Sequence, residues 1–483
     1  MHSDLNKEQQ RAASHLNGPM MVIAGPGSGK TTVLTSRVEN LISRHHIPAA
    51  EILVITFTRA AALEMQQRFL KKHGGGHTAV CFGTFHSVFL EMLKRYSRDF
   101  QVRLMDDRIA QLLLKETFCE LYPGKKLSSD MYTAMLGTVS GIKNGKLPES
   151  SLPEGVMERY TAKAEAAGLI DFDDMMLLCL KMLKKSPDIL KSVRERYRYL
   201  LIDEFQDINR LQYEIVRLIA APLNNLFIVG DDDQSIYGFR GSDPSIMLHF
   251  SRDFPNSETV LLGVNYRSCS GIVGASMRLI GYNRDRFDKK LQAFSAERGV
   301  IRIKGFPDSR AEAAEVMRIL KEHAKIDSGA PTAAVLTRTH RSSSQFGRLL
   351  AAEAGGMAAS SVEAGSMAAR AAEGVGTADF AENVKLYTFH GSKGLEFDIV
   401  FIIEADEGIT PQASAASERA LLEEERRMFY VAATRAKKEL YIFYTESEYD
   451  RKKFMSRFVS EFDGGVLKRL IYRVRLLLRE HWQ

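Results

Sequence analysis

The sequence predicts an α/β protein: two domains of parallel sheet flanked by helices, the first interrupted by a helical insertion. Three observations lead to this class. Short apolar, β-branched runs recur, each followed by a helical pattern, and such runs read as strands buried on both faces. They fall into two series, separated in the chain. At 483 residues, the chain is also too long for one ordinary core.

In the first series, "MMVIA" (Met20–Ala24) precedes a helix from about Thr31. "ILVIT" (Ile52–Thr56) precedes the helical "RAAALEMQQRFLKK". "YLLID" (Tyr199–Asp203) and "LFIVGD" (Leu226–Asp231) follow later. Strand and helix in alternation give a doubly wound sheet. Between about 90 and 195 the strand runs vanish and helical segments dominate, which marks the insertion. The second series is "VIRIKGF", "AAVLTRT", "VKLYTFH", "IVFIIEA" and "ELYIFYTE". Between its second and third members lies "EAGGMAASSVEAGSMAARAAEGVGTADFAE" (Glu353–Glu382), three rough copies of a ten-residue unit. Its large apolar residues are only Met357, Val362, Met367, Val375 and Phe380. That set buries too little surface to offset ordering entropy, so a poorly ordered, partly helical linker is expected in preference to a helical hairpin.

Composition narrows the class further. A hydrophobic fraction of 45% and a charged fraction of 26% are those of a soluble globular protein. A net charge of +6 permits a polyanionic partner without requiring one. The polar start, "MHSDLNKEQQ", carries no signal-peptide pattern, and no apolar stretch is long enough to span a bilayer. Cys81, Cys119, Cys179 and Cys269 are scattered without CxxC spacing. Buried thiols and a cytoplasmic location are expected from that.

The chemistry-bearing motifs sit where strands end. "AGPGSGKTT" (Ala24–Thr32) joins the first strand to the first helix. Backbone N–H groups of a Gly-rich turn at a helix N-terminus cradle phosphates. In that pattern Lys30 reaches the β- and γ-phosphates of ATP and Thr31 ligates Mg²⁺; a plain surface turn is the weaker reading, given the flanking strand and helix. "LLIDEFQD" (Leu200–Asp207) places Asp203 for the Mg²⁺ shell and Glu204 to polarise the attacking water. "VGDDDQSIYGFRG" (Val229–Gly241) offers Gln234 as a γ-phosphate sensor. Tyr237 and Phe239, near Arg240, are read from spacing either as base-stacking residues or as core.

The order of these motifs resembles the UvrD/Rep/PcrA-like superfamily 1A DNA helicases. "LNKEQ" (Leu5–Gln9) looks like their Q motif, "VITFTRAAALEM" (Val54–Met65) like motif Ia and "GTFHS" (Gly83–Ser87) like motif Ib. "GLIDFDDMM" (Gly168–Met176) looks like the end of the insertion called 1B. "DEFQD" and "GDDDQSIYGFRG" match motifs II and III, and "NYRS" (Asn265–Ser268) resembles motif IV. "LYTFHGSKGLEFDIVFI" (Leu386–Ile402) resembles motif V, and "EEERRMFYVAATRAK" (Glu423–Lys437) motif VI. "SRFVSE" (Ser456–Glu461) looks like the family's closing segment. The matches run in family order from residue 5 to about 461. There are departures: Phe239 stands where many relatives have Trp, and motif V reads "HGSKG" where "HSAKG" is common.

The resemblance implies two RecA-like P-loop domains and ATP with Mg²⁺ as cofactors. It implies a nucleotide set of Gln9 and Tyr266 at the adenine, Gly25, Gly27, Ser28, Gly29, Lys30, Thr31, Thr32 and Arg37 from the P-loop and its helix, and Glu396 at the ribose. Gln234 couples γ-phosphate to DNA, and Arg267 and Arg435 act as arginine fingers. Thr58, Phe85, His86, Tyr237, Phe239, Arg240 and His390 line the single-strand path. The implied domains are 1A (1–90 and 195–264), 1B (91–194) and 2A (265–352 and 383–462), with the 353–382 linker where a domain called 2B usually stands and a basic tail at 463–483. The expected activity is ATP-dependent 3′-to-5′ translocation or unwinding on single-stranded DNA and single/double-strand junctions, in repair, replication or recombination. The competing reading is an ATP-gated DNA-binding or adaptor protein that does not unwind; a complete catalytic set favours the motor.

Overall fold

The computed structural model describes residues 5–72, 78–97, 102–125, 127–326, 331–353, 384–448 and 451–465. The Glu353–Glu382 tract beyond its first residue, and the tail from 466 onward, lie outside the described residues. The chain divides into two compact units, one of residues 1–24 and 29–262, the other of residues 25–28 and 263–483.

The first unit holds a six-stranded sheet of β1 (Met20–Ala24), β2 (Ile52–Thr56), β3 (Cys81–Thr84), β6 (Tyr199–Ile202), β7 (Leu226–Gly230) and β8 (Glu258–Leu262). Every pairing is parallel, in the order β3-β2-β6-β7-β1-β8. β1, β2, β6 and β7 are buried along their whole length, as continuous apolar runs demand. The edge strands β3 and β8 are not foreseen by those runs, because each shows one side to solvent and its sequence is correspondingly mixed. Helices α1 (Lys7–Ser14), α2 (Lys30–Ser43), α3 (Arg59–Lys72) and α4 (Phe85–Tyr96) follow the pattern of the sequence. Met20, Val22, Val33, Leu34, Leu41 and Val54 fill the core between sheet and helices. Each such side chain contributes about 1.5–3 kcal/mol on burial.

Between β3 and β6 the chain is helical: α5 (Asp107–Leu121), α6 (Ser129–Lys143), α7 (Val156–Ala166), α8 (Phe172–Lys185) and α9 (Pro187–Arg196). Within it β4 (Arg103–Leu104) and β5 (Leu169–Ile170) form a short parallel pair. This region has a core of its own around Leu114, Phe118, Val156 and Tyr160. The chain re-enters the sheet at β6, and helix α10 (Arg210–Ala220) joins β6 to β7.

The second unit holds a five-stranded parallel sheet of β11 (Val300–Phe306), β12 (Ala333–Thr337), β13 (Val384–Thr388), β14 (Phe397–Ile402) and β15 (Ala436–Thr445). Its order is β11-β15-β14-β12-β13. All five coincide with the second series of apolar runs. Two-residue strands β9 (Val264–Asn265) and β10 (Gln292–Ala293) pair beside it. The expected class therefore holds: parallel sheets flanked by helices in both units.

The four thiols are free; Cys179 and Cys269 are buried and Cys81 is partly so. Cys119 corrects the expectation: it lies exposed on α5, its sulfur 3.9 Å from the Tyr132 hydroxyl. Among the described residues no helix is long and apolar enough to cross a membrane.

One buried acid in the second unit makes stability pH-dependent. Glu312 is fully buried and accepts the Glu404 N–H at 3.1 Å. Burial pushes its carboxyl well above the usual range; the Glu404 N–H opposes that, and the nearby Glu404 and Asp406 charges add to it. A folded-state pKa above the unfolded value means the native state holds the extra proton, so stability falls as pH rises through that window. Glu312→Gln is expected to melt higher than the parent in mildly alkaline buffer, with the two converging in acid. Thermal melts across pH check this, and a parallel pair of curves would contradict it.

Candidate nucleotide and single-strand sites

In a parallel sheet all strand C-termini share one edge, and ligands bind there. In the first unit that edge receives the turns after β1, β2, β3, β6 and β7, which are the turns carrying the motifs.

The turn after β1 needs glycine. Gly27 and Gly29 have φ of 64° and 86°, the left-handed region that costs L-residues energy. A Cβ on Gly29 would meet the Gln9 amide nitrogen at 2.7 Å. Gln9 is held by a capping box: its N–H donates to Asn6 Oδ1 at 2.8 Å, and its Oε1 accepts the Asn6 N–H at 3.0 Å. Gly29 is the N-cap of α2 and supplies no side chain to the first amides of that helix, which suits them to an anion. Ser28 is buried and its hydroxyl donates to Gly25 O at 2.7 Å. Thr31 is half-buried and Thr32 exposed at the start of α2. Arg37 is fully buried one turn further on. Its guanidinium lies 4.5 Å above the Phe227 ring and donates to Leu16 O at 3.2 Å. Burial lowers its pKa to about 9.

The carboxylates come from the end of β6. Asp203 is buried, its N–H donating to Ile55 O at 2.9 Å. Glu204 takes a left-handed backbone with φ 50°, unusual for a residue with a Cβ. Strain of that kind concentrates at functional sites. It aims Glu204 at Lys30, with Nζ and Oε1 3.0 Å apart. The lysine and acid expected from separate motifs are thus an ion pair within one unit.

The turn after β7 folds on itself. Gln234 is buried, and its amide donates to Asp231 Oδ2 at 2.6 Å. Tyr237 stacks on Phe57 with ring centroids 4.8 Å apart and planes 19° apart. Phe239 lies 6.0 Å from Tyr237 and is 59% exposed, so it is not a core residue. The side chain of Arg240 lies outside the described residues. Thr58 caps α3, its hydroxyl accepting the Ala61 N–H at 3.1 Å. Phe85, expected on the strand path, corrects that expectation: it is 2% exposed and packs on Phe89. Its neighbour His86 instead meets Phe172, at 4.6 Å between centroids. Phe57 and the exposed Phe172 are members of this aromatic surface that spacing alone did not single out. Their signal lay in their places, at a strand end and at the first position of a helix.

The second unit holds a charged cluster of its own. Arg267 Nε pairs with Glu396 Oε2 at 2.8 Å, and Lys437 Nζ with Glu396 Oε1 at 2.8 Å. Burial pushes the Glu396 carboxyl up, but Lys437 and Arg267 together hold it below its usual range. The Tyr266 N–H donates to Gly27 O at 2.9 Å, and its exposed ring lies 5.0 Å from Phe294, itself 72% exposed. Arg435 is 1% exposed. Its Nε donates to Val431 O at 2.8 Å, and its Nη1 and Nη2 to Leu395 O and Thr434 Oγ1, each at 3.2 Å. His390 is half-buried in a short turn after β13. The motif V departures fit this turn: the Gly391 N–H donates to Thr388 Oγ1 at 3.1 Å, and the Ser392 hydroxyl to Phe389 O at 2.8 Å.

The chain matches two family models. That of the UvrD/REP helicase N-terminal domain covers residues 5–255, and that of the UvrD-like helicase C-terminal domain covers 260–367 and 362–447. It is 35% identical over 356 residues to YjcD of Bacillus subtilis (strain 168), covering 70% of this chain and 46% of that protein. It is 32% identical over 357 residues to the ATP-dependent DNA helicase PcrA of Staphylococcus aureus (strain Mu50 / ATCC 700699), covering 70% and 48%. To the PcrA of Leuconostoc citreum it is 34% identical over 307 residues, covering 59% and 40%. The chain spans about half the length of the relatives it matches.

Proposed function

The chain belongs to the UvrD/REP helicase family, and from that premise we propose that it is an ATP-driven motor moving 3′ to 5′ on single-stranded DNA and at single/double-strand junctions. The observation that carries this reading is the Lys30–Glu204 pair beside Asp203, on the same sheet edge as the exposed aromatics.

ATP with Mg²⁺ supplies the phosphoanhydride and a cation that neutralises its charge. In this reading Thr31 and Asp203 hold the cation. The turn Gly25–Thr32 binds phosphates through its backbone, and Lys30 leaves Glu204 for the β- and γ-phosphates. Glu204 then accepts a proton from the attacking water. Gln234 exchanges Asp231 for the γ-phosphate. Arg267 and Arg435 stabilise charge on the transferring group. Gln9 and Tyr266 take the adenine and Glu396 the ribose, with Arg37 counted in the nucleotide set. Thr58, His86, Tyr237, Phe239, Arg240 and His390 grip the strand. Residues 1–90 with 195–264, and 265–352 with 383–462, are read as the two motor domains, 91–194 as 1B and 353–382 as a linker. The C-terminal family match falls in two segments, 260–367 and 362–447, that meet within this tract, which supports that last reading.

The deciding experiment is ATP turnover with and without single-stranded DNA, then strand displacement on 3′- and 5′-tailed duplexes. Turnover stimulated by DNA with displacement of the 3′-tailed duplex is the expected result. The competing reading is an ATP-gated DNA-binding or adaptor protein without unwinding. Stimulated turnover without translocation or displacement on either tail would select it.

Phe239→Ala is expected to weaken single-strand affinity and slow translocation, with basal hydrolysis retained. A base stacked on an aromatic is worth about 1–3 kcal/mol. Fluorescence anisotropy with an oligonucleotide checks the affinity; unchanged binding would remove Phe239 from the strand path.

A further inference from the structure

Gln206 sits between the two functional turns of the first unit. It is 0% exposed, and its side-chain nitrogen, side-chain oxygen and backbone oxygen are all hydrogen-bonded. The side-chain nitrogen donates to Glu204 Oε2 at 2.5 Å and lies 3.3 Å from Asp207 Oδ2. The side-chain oxygen accepts the Asp231 N–H at 2.9 Å. Its backbone oxygen accepts the Ser235 hydroxyl at 3.1 Å. A short stretch around one glutamine therefore joins the carboxylate after β6 to the turn after β7.

The surroundings leave that amide little choice of orientation. A Cβ on Gly230 would stand 2.7 Å from Gln206 Oε1 and 2.9 Å from the Met247 sulfur, so glycine there makes room for the amide. The oxygen faces a backbone N–H, which only an acceptor satisfies, so the nitrogen must face Glu204. On the other side of Glu204, Lys30 holds Oε1 at 3.0 Å. When phosphate draws Lys30 away, the Gln206 amide still donates to this carboxylate.

We propose that Gln206 is a positioning residue for hydrolysis, holding the Glu204 carboxylate in place and tying it to the Asp231–Ser235 turn. This rests on the reading of Glu204 as the base. Because the same amide accepts from Asp231, displacement of the turn shifts the carboxylate with it.

The test uses the full chain with saturating single-stranded DNA. Gln206→Glu keeps an acceptor for Asp231 but sets a carboxylate against Glu204 and Asp207. With the donor to Glu204 gone, its kcat is expected to fall with KM for ATP little changed. Gln206→Met keeps the volume and loses the side-chain hydrogen bonds to Glu204, Asp207 and Asp231. Its kcat is expected to fall by roughly tenfold or more, toward the range of general-base effects, with KM for ATP little changed. Thermal melting reports folding of each variant. A part in packing alone would lower the melting point and leave kcat of the folded protein at the parent value; that result, in either variant, overturns the proposal. Glu204→Gln is measured alongside. If it is slow while folded Gln206→Glu and Gln206→Met turn over like the parent, Glu204 remains the base and the positioning inference is wrong. Normal turnover in Glu204→Gln overturns both.

Discussion

Glu204→Gln is expected to bind nucleotide near normally and turn it over roughly 10²-fold or more slowly, the combined range of positioning and general-base effects. The side chain keeps its size, and the left-handed backbone at residue 204 is unaltered by the change. What changes is basicity. Both carboxylate oxygens face donors, Lys30 Nζ at 3.0 Å and the Gln206 amide at 2.5 Å. An amide satisfies one of them and presents its own N–H₂ to the other. The Gln206 amide cannot turn to compensate without losing the Asp231 N–H. The variant is therefore expected to lose about 1–3 kcal/mol at the unsatisfied contact. Lys30→Ala is the contrasting change, weakening nucleotide binding itself by removing the cation over the phosphates. Equilibrium binding of a fluorescent ATP analogue, beside steady-state turnover, separates the two. Normal turnover in Glu204→Gln would end the assignment of the base.

The sequence foretold the central strands better than the edges, for a physical reason. β1, β2, β6 and β7 are buried on both faces and had to be continuous apolar runs. β3 and β8 at the edges, and the two-residue pairs β4–β5 and β9–β10, leave no such run. Glycine turns and acids at strand ends were legible because their signal is local. The P-loop's left-handed glycines and the acids after β6 stand where the motif spacing put them.

Contacts made across long stretches of chain were not legible. Phe57 meets Tyr237, and Phe172 meets His86, only once the sheet places distant turns side by side. Phe85 and His86 show the limit within one helix. The motif named both, but α4 turns about 100° between neighbours, so one faces the core and the other the surface. Gln206 was passed over since nothing in "DEFQD" tells which of its residues face inward. The Arg267–Glu396–Lys437 cluster likewise depends on tertiary placement, since it joins residues far apart in sequence.

Arg435 carries the other large expected effect. Its guanidinium is enclosed, and three of its nitrogens donate to Val431 O, Leu395 O and Thr434 Oγ1. Burying a charge is costly unless such bonds compensate, so this arginine is held in one geometry before any ligand arrives. A pre-set fork suits transition-state charge, because it costs no reorganisation when that charge develops. Arg435→Lys keeps the positive charge but cannot present three donors in a plane. It is expected to fold and to slow DNA-stimulated hydrolysis by roughly 10³-fold, the lower range for a missing arginine finger. Arg435→Ala should show the same kinetic loss, with a lower melting temperature from the orphaned carbonyls and the cavity. Single-strand affinity should change little in either variant, because the arginine is assigned to the phosphoryl group and not to the strand. Turnover, anisotropy and thermal melting on the same preparations decide among three roles. A large loss of affinity with intact hydrolysis would move Arg435 to the DNA path. A fall in melting temperature alone would make it a packing residue, and loss of turnover in a stably folded Lys variant would leave it as the finger.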